Sequence, residues 1–172
     1  DHHLYPECDG LVTNTPGLAL VVFTADCTPI LLHDPVTGAV GAVHAGWRGT
    51  VRSIAANAVE KMVQAGANPQ NILAAIGPSI GPCHFEVGQE VAEEFAARFG
   101  EKLPLKEHRP GHSMVHLWAA TRLVLLEAGV QNDRIFTANI CTFCNNLDFY
   151  SHRYTNGRRG SLIAAIAMEG DV

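Results

Sequence analysis

The stretch ILLHDPVTGAVGAVH, residues 30–44, contains two apolar segments on either side of a turn. Ile30 to Leu32 is a short apolar run, and Asp34 to Gly38 combines Asp, Pro and Gly in the way that favours a tight turn. Ala39 to His44 is a second apolar run that returns from this turn. The stretch therefore predicts two neighbouring antiparallel strands, with His44 at the end of the second.

Outward from this hairpin, apolar runs and helical periodicity define the remaining elements. Further strands are predicted at 18–23, 72–76, 134–137 and 161–167, and helices at 51–65, 89–99 and 117–128. Thr50 is a plausible N-cap for the first helix. Strand pairs joined by tight turns and mixed with helices favour an α+β layered domain, with mixed sheets flanked by helices, over a doubly wound parallel sheet. We expect one such domain over residues 1–172.

The composition is that of a globular chain, with 47% hydrophobic and 17% charged residues and a formal net charge of -5. The acidic balance, with scattered basic residues, argues against nucleic acid and anionic membranes as partners. No apolar run approaches the roughly 20 residues that span a bilayer. The five cysteines are an odd number without regular spacing, which favours a reducing cytoplasm over a secreted disulfide framework.

Cys27 and His44 are the first candidates for chemistry, because each lies where a predicted strand meets a loop. A thiolate and an imidazole on adjacent strands suit zinc or copper, although a catalytic site needs a third ligand. The same pair could serve as nucleophile and base in a metal-free hydrolase, for example on a cell-wall precursor amide. A buried cysteine and a hydrogen-bonded histidine without function remain the alternative.

Gly46-Trp47-Arg48-Gly49 follows His44 directly and adds a possible ligand-binding loop. Two glycines allow close backbone approach, while Trp47 offers an aromatic face and Arg48 a guanidinium. That combination suits a planar, anionic or phosphate-bearing ligand. Core packing for Trp47 and a structural ion pair for Arg48 are equally compatible with the spacing.

Several motifs occur in order from about Asp9 to Ile166: Ala25-Asp26-Cys27, Val43-His44-Ala45-Gly46-Trp47-Arg48-Gly49, Ile76-Gly77-Pro78-Ser79-Ile80-Gly81-Pro82, Phe85-Glu86-Val87-Gly88, Cys141-Thr142 and Ser151-His152-Arg153. Together they resemble the YfiH/laccase-domain family. The resemblance implies a YfiH-like fold and a cytoplasmic enzyme with one zinc ion, acting on purine nucleosides by phosphorolysis and by adenosine deamination. It also leaves copper-dependent polyphenol oxidation as an alternative, since family members have been described in those terms.

By the same resemblance, Cys27 and His44 match two of the family's metal ligands. The third, in a Gln-x-His-Gly motif, has no counterpart in this sequence. We therefore expect the third histidine upstream of residue 1, in a segment that would also be a partner of this chain. His2 and His3 do not match the motif and are not expected to replace it.

The predicted catalytic residues are Cys27, His44 and Arg48, and the predicted substrate contacts are Trp47, Arg48 and Cys83, with a purine nucleoside and phosphate as the small-molecule partners. Cys83 is included because its Gly- and Pro-rich loop could line the same cleft. Cys141-x-x-Cys144 is similar to half of a zinc knuckle or a redox motif. Because no second such pair occurs in the sequence, we assign it no catalytic role.

Overall fold

The computed structural model describes residues 7–169. Its strands are β1 (Gly10–Thr13), β2 (Ala19–Thr24), β3 (Thr28–His33), β4 (Val40–Ala45), β5 (Leu73–Ile76), β6 (Glu86–Gly88), β7 (Lys106–Arg109), β8 (His112–Met114), β9 (Ile135–Thr137) and β10 (Leu162–Ala167). Its helices are α1 (Trp47–Val51), α2 (Ile54–Gln64), α3 (Gln89–Phe99) and α4 (Leu117–Glu127).

A five-stranded sheet in the order β1-β4-β3-β5-β9 forms the centre. The predicted hairpin is its middle pair, since β3 and β4 are antiparallel with Thr28 opposite Ala45 and His33 opposite Val40. Only β5 and β9 run parallel, so the sheet is mixed. The α+β prediction is therefore confirmed, and the doubly wound alternative is wrong.

A second layer consists of the antiparallel pair β2 and β10. Side chains along β2 alternate between exposed and buried, as expected for a strand with one face on a core. Leu20 and Val22 pack with Val40 and Ala42 of β4. Because β10 pairs with β2 along its whole length, Ala165 lies opposite Val21, and the two strands form a sheet separate from the central one.

The helices cover the other face of the central sheet, where the main apolar core lies. Phe95 of α3, Leu117 and Leu125 of α4 and Met62 of α2 are almost fully buried there. Helices α3 and α4 have the predicted bounds to within one residue, because both carry a clear apolar face. None of the helices within residues 7–169 has the length and apolar character that a membrane crossing requires.

Two sequence predictions are corrected by the fold. The helix expected after Thr50 is broken in two at Ser53, which has a left-handed backbone with φ 60°. Thr50 is consequently not an N-cap; it lies inside α1 and its hydroxyl donates to the Gly46 carbonyl at 3.0 Å. A small third sheet, β6-β8-β7, was not predicted, because its strands are short, β7 is polar and exposed, and β8 is only half-buried.

Candidate functional site

The end of the hairpin brings Cys27 and His44 together. Cys27 immediately precedes β3, and the register places Pro29 opposite His44 and Thr28 opposite Ala45. The thiol of Cys27 is the main hydrogen-bonding partner that raises the pKa of His44 to about 9, and Asp9 adds to that effect. This raised pKa reflects the closeness of the Cys27 sulfur and the Asp9 carboxylate to the ring.

Asp9 orients the imidazole ring. Its carboxylate lies 3.0 Å from Nδ1 of His44, and its carbonyl accepts the His44 backbone N–H at 2.7 Å. This second contact exists because β1 pairs with β4 from Gly10 onward, which brings the preceding residue alongside His44. A carboxylate on one ring nitrogen leaves the other, Nε2, available, which is the usual arrangement of a metal-binding histidine.

Gly46 keeps the space beside these two side chains open. A Cβ at this position would lie 3.3 Å from Sγ of Cys27 and 4.0 Å from Cε1 of His44. Its backbone is extended, with φ -71° and ψ 174°, so conformational freedom is not the reason for glycine here. The absent side chain instead leaves room for a group bound between the thiol and the imidazole.

Trp47 and Arg48 lie immediately beyond Gly46. The Arg48 guanidinium stacks 4.3 Å from the centroid of the Trp47 ring, which itself packs against the main core. Arg48 is exposed, and within residues 7–169 its guanidinium makes no ion pair. The structural ion pair considered for Arg48 is thus not formed by that part of the chain, and the outer face of the guanidinium points to solvent.

Asp26 fixes the backbone next to Cys27, and sequence reasoning did not single it out. It is 8% exposed and has a left-handed backbone with φ 83°. Its carboxylate accepts the Thr142 hydroxyl at 2.6 Å and the Arg153 backbone N–H at 2.6 Å, while its carbonyl accepts the Ile80 N–H at 2.9 Å. One residue therefore ties three distant loops to the position of the Cys27 thiol.

A second cluster of cysteine and histidine side chains lies on the loops that follow β5 and β9. The ligand atoms of Cys83, His84, Cys141 and Cys144 all lie within 4.8 Å of one another, and the four could hold a metal ion. Partial burial and the thiols of Cys141 and Cys144 raise the pKa of Cys83 to about 12. Burial also raises the pKa of Cys141, but hydrogen bonds from the backbone of Cys144 and Gly81 outweigh it and lower the net value.

The structure thus separates the predicted residues into two groups. Cys27, His44, Trp47 and Arg48 lie together at the hairpin end, whereas Cys83 lies beside the Cys141-x-x-Cys144 pair. A substrate contact for Cys83 stays a prediction, as does every role assigned to the hairpin residues. None of the five cysteines, all within the described residues, forms a disulfide. His2 and His3 lie outside those residues.

The fold defines an α+β protein, and Cys83, His84, Cys141 and Cys144 are side chains that could hold a metal ion. Residues 1–169 match the family model described as multi-copper polyphenol oxidoreductase laccase, and the chain belongs to this family, which includes proteins named YfiH and YlmD. The predicted family is confirmed.

Similar proteins carry enzyme names. The chain is 44% identical over 163 residues to a purine nucleoside phosphorylase of Deinococcus radiodurans, covering 94% of this chain and 62% of that protein. It is also 44% identical over 147 residues to adenosine deaminase RL5 of an unknown prokaryotic organism, covering 84% of this chain and 56% of that protein. The chain thus spans about three fifths of the length of the relatives it matches.

Solved structures agree with the fold. The crystal structure of YlmD from Geobacillus stearothermophilus superposes with a TM-score of 0.89 at 39% identity, covering 94% of this chain and 61% of that one. The crystal structure of the Bacillus licheniformis hypothetical protein YfiH gives a TM-score of 0.87 at 35% identity with the same coverage. The YfiH-like fold is therefore confirmed for the part of the chain that these structures cover.

Proposed function

We propose that the protein is a zinc-dependent enzyme of purine nucleosides that carries out phosphorolysis and adenosine deamination. The observation that carries the proposal is that the Cys27 thiol and a His44 ring whose Nδ1 is held by Asp9 both lie beside Gly46. The names of the relatives, purine nucleoside phosphorylase and adenosine deaminase, support the choice of substrate.

The residues present fit a zinc ion. Sulfur and imidazole nitrogen are its preferred ligands, the carboxylate on Nδ1 of His44 orients Nε2, and Gly46 leaves room beside both donors. Cys27 and His44 would therefore hold the ion. Catalytic zinc normally has three protein ligands, and we propose that a histidine outside these 172 residues supplies the third. When bound, zinc polarises a substrate oxygen or lowers the pKa of a water molecule.

Arg48 is the proposed phosphate-binding group. In phosphorolysis a phosphate oxygen bonds to the ribose C1′ as the bond from C1′ to the purine nitrogen breaks, and the departing base takes up a proton. The guanidinium can present two N–H groups to that phosphate. Trp47 orients it, because stacking on the ring removes much of the side chain's freedom. Because Trp47 covers the inner face of the guanidinium, we propose that a purine lies on its outer face.

The test compares Arg48→Ala with Arg52→Ala in the full-length protein. Arg52 is exposed four residues further along and serves as the control. Loss of the phosphate contact should lower phosphorolysis of adenosine about 10²- to 10³-fold, the usual effect of removing one charge-stabilising donor. Deamination, which uses no phosphate, should change much less. Undiminished phosphorolysis in Arg48→Ala would show that the phosphate is held elsewhere.

Copper-dependent oxidation of phenols is a second candidate, favoured by the description of the family model. Cysteine and histidine can also bind copper. Metal analysis of protein produced without added copper, together with phenol oxidation and nucleoside assays, separates the two functions. Several equivalents of bound copper together with oxidation of phenols would show that the protein is a polyphenol oxidase and would refute the nucleoside proposal.

A metal-free hydrolase is the third candidate, because a cysteine beside a histidine is also the arrangement of a nucleophile and its base. Alkylation distinguishes it from a metal site. A zinc-bound Cys27 should be protected until a chelator removes the metal, whereas a free nucleophile should react at once. Immediate modification with loss of amide hydrolysis would favour the hydrolase.

A further inference from the structure

Three thiols and one imidazole that lie close together are unusual in a chain with five cysteines, and they come from two loops far apart in sequence. Cys83 and His84 end the Gly- and Pro-rich loop after β5, and Cys141 and Cys144 lie on the loop after β9. We propose that these four residues form a second metal site, which binds one zinc ion tetrahedrally and fixes the two loops to each other. This proposal is independent of the role proposed for Cys27 and His44.

The distances match a tetrahedral site. With zinc bonds of about 2.3 Å to sulfur and about 2.0 Å to nitrogen, neighbouring ligand atoms lie roughly 3.5 to 3.8 Å apart. Nδ1 of His84 lies 3.3 Å from Sγ of Cys83, 3.3 Å from Sγ of Cys144 and 3.9 Å from Sγ of Cys141. The two sulfurs of Cys83 and Cys144 lie 3.6 Å apart. The remaining pairs of ligand atoms lie within 4.8 Å, so the four atoms surround a space that one ion could fill.

The surroundings hold the ligands in this geometry. The His84 ring stacks on Phe143 with centroids 4.0 Å apart, and the His84 carbonyl accepts an N–H of Arg153 at 3.2 Å. Sγ of Cys141 accepts the Gly81 N–H at 3.2 Å, which stabilises a thiolate at that position. Such outer contacts are typical of metal sites, where they set the orientation and charge of the ligands.

The chain pattern agrees with a structural zinc site. Cys141 and Cys144 have the C-x-x-C spacing of zinc knuckles, and the Asn145 N–H donates to the Cys141 carbonyl at 3.0 Å in the turn that joins them. All four ligands come from the protein, so no position is left open for a substrate. The four-ligand site therefore has a structural role. The pair Cys27 and His44 at the hairpin end, in contrast, would leave positions on the ion open.

The position of the site defines what it would stabilise. Thr142, next to Cys141, donates to Asp26, and Ser79 of the first loop forms an isolated parallel bridge with Cys141. Zinc would therefore fix the loop on which the conformation of the Asp26-Cys27 segment depends. Zinc-bound Cys83 would not be free to contact a nucleoside, so the two roles considered for Cys83 exclude each other.

The experiment loads the full-length protein with cobalt(II), which gives intense visible absorption when bound tetrahedrally by thiolates, and measures zinc per chain by mass spectrometry. Cys83→Ser and Cys144→Ser should each weaken zinc binding by at least about tenfold, since even loss of an outer contact has that effect. Cys8→Ser, at an exposed cysteine outside both clusters, should keep the whole cobalt spectrum, whereas Cys27→Ser should remove only the contribution of an ion bound at the hairpin end. A spectrum that Cys83→Ser and Cys144→Ser both leave unchanged, or that Cys27→Ser abolishes completely, would overturn the proposal.

Alkylation of the unmodified protein gives a test that needs no variant to fold. Cys83, Cys144 and Cys8 are all exposed, so the reagent can reach each of them in the absence of metal, and each is compared with its own rate. Added zinc should slow the modification of Cys83 and Cys144 by at least about tenfold and leave Cys8 unchanged. Equal reactivity with and without zinc would contradict the site, and so would a disulfide between Cys83 and Cys144 in freshly purified, zinc-supplemented protein.

Discussion

Replacing Asp26 with asparagine should destabilise the protein and loosen the cysteine beside it. Asparagine has the same shape and tolerates a positive φ, so the backbone conformation can be kept. The amide oxygen can still accept the Thr142 hydroxyl, but the amide nitrogen then faces the backbone N–H of Arg153. Two donors would meet at a place where the wild-type carboxylate accepts at 2.6 Å.

The magnitude follows from these two contacts. Loss of a hydrogen bond to a charged acceptor costs about 1.5 to 3 kcal/mol, and the surviving bond weakens because its acceptor is now neutral. We therefore expect a loss of roughly 2 to 4 kcal/mol in the free energy of unfolding. For a chain of this length, that corresponds to a decrease in Tm of roughly 5 to 15 °C.

Asp34→Asn is the matched control. Asp34 is fully buried at the other end of β3, where its carboxylate accepts the N–H groups of Val36 and Asn68 at 2.9 Å each. Both variants should lower Tm in a circular dichroism melt, but only Asp26→Asn should speed alkylation of Cys27. An Asp26→Asn variant within about 0.5 kcal/mol of wild type, or an Asp34→Asn variant with equally reactive Cys27, would refute the reasoning.

Three further perturbations test the site and its support. Gly46→Ala should weaken zinc binding at Cys27 and His44 by at least about tenfold with a normal circular dichroism spectrum, because the new Cβ would lie 3.3 Å from the Cys27 sulfur; unchanged zinc affinity would contradict this. NMR titration of metal-free protein should place the midpoint of the His44 titration near pH 9, and Cys27→Ala should lower that midpoint. The stability that protonated His44 contributes is complete below its ordinary pKa of 6.5 and is lost as the pH rises through about 9. Ser79→Ala should cost about 1 to 3 kcal/mol in a urea melt, because the Trp118 indole N–H that donates to Ser79 at 2.6 Å would lose its buried partner; a loss below about 0.5 kcal/mol would show that the indole finds another.

The sequence predicts the hairpin, helices α3 and α4 and the pairing of Cys27 with His44, because each follows from local apolar periodicity and turn chemistry. The break between α1 and α2 escaped prediction for a local reason. Ser53 adopts a left-handed conformation that its residue type does not favour. Its hydroxyl accepts a hydrogen bond from an N–H of Arg98 at 3.0 Å. Tertiary contacts of that kind leave no periodic signal.

The second cluster escaped prediction for a different reason. Its two pairs, Cys83-His84 and Cys141-Cys144, are separated by 57 to 61 residues, and neither is specific alone. The bridge between Ser79 and Cys141 that brings them together depends on the parallel pairing of β5 with β9. Asp26 was missed likewise, because its partners lie 116 and 127 residues away.

The distance in sequence between Asp26 and its partners has a consequence for the order of folding. The hairpin that carries Cys27 and His44 is complete within 18 residues and can form early, whereas Thr142 and Arg153 become available only after most of the chain has been synthesised. Contacts of such long sequence separation carry a high loop-closure cost and form late. A nascent chain would therefore carry a preformed but unsupported thiol and imidazole, and the docking of residues 142 to 167 would be the step that turns this pair into a rigid site.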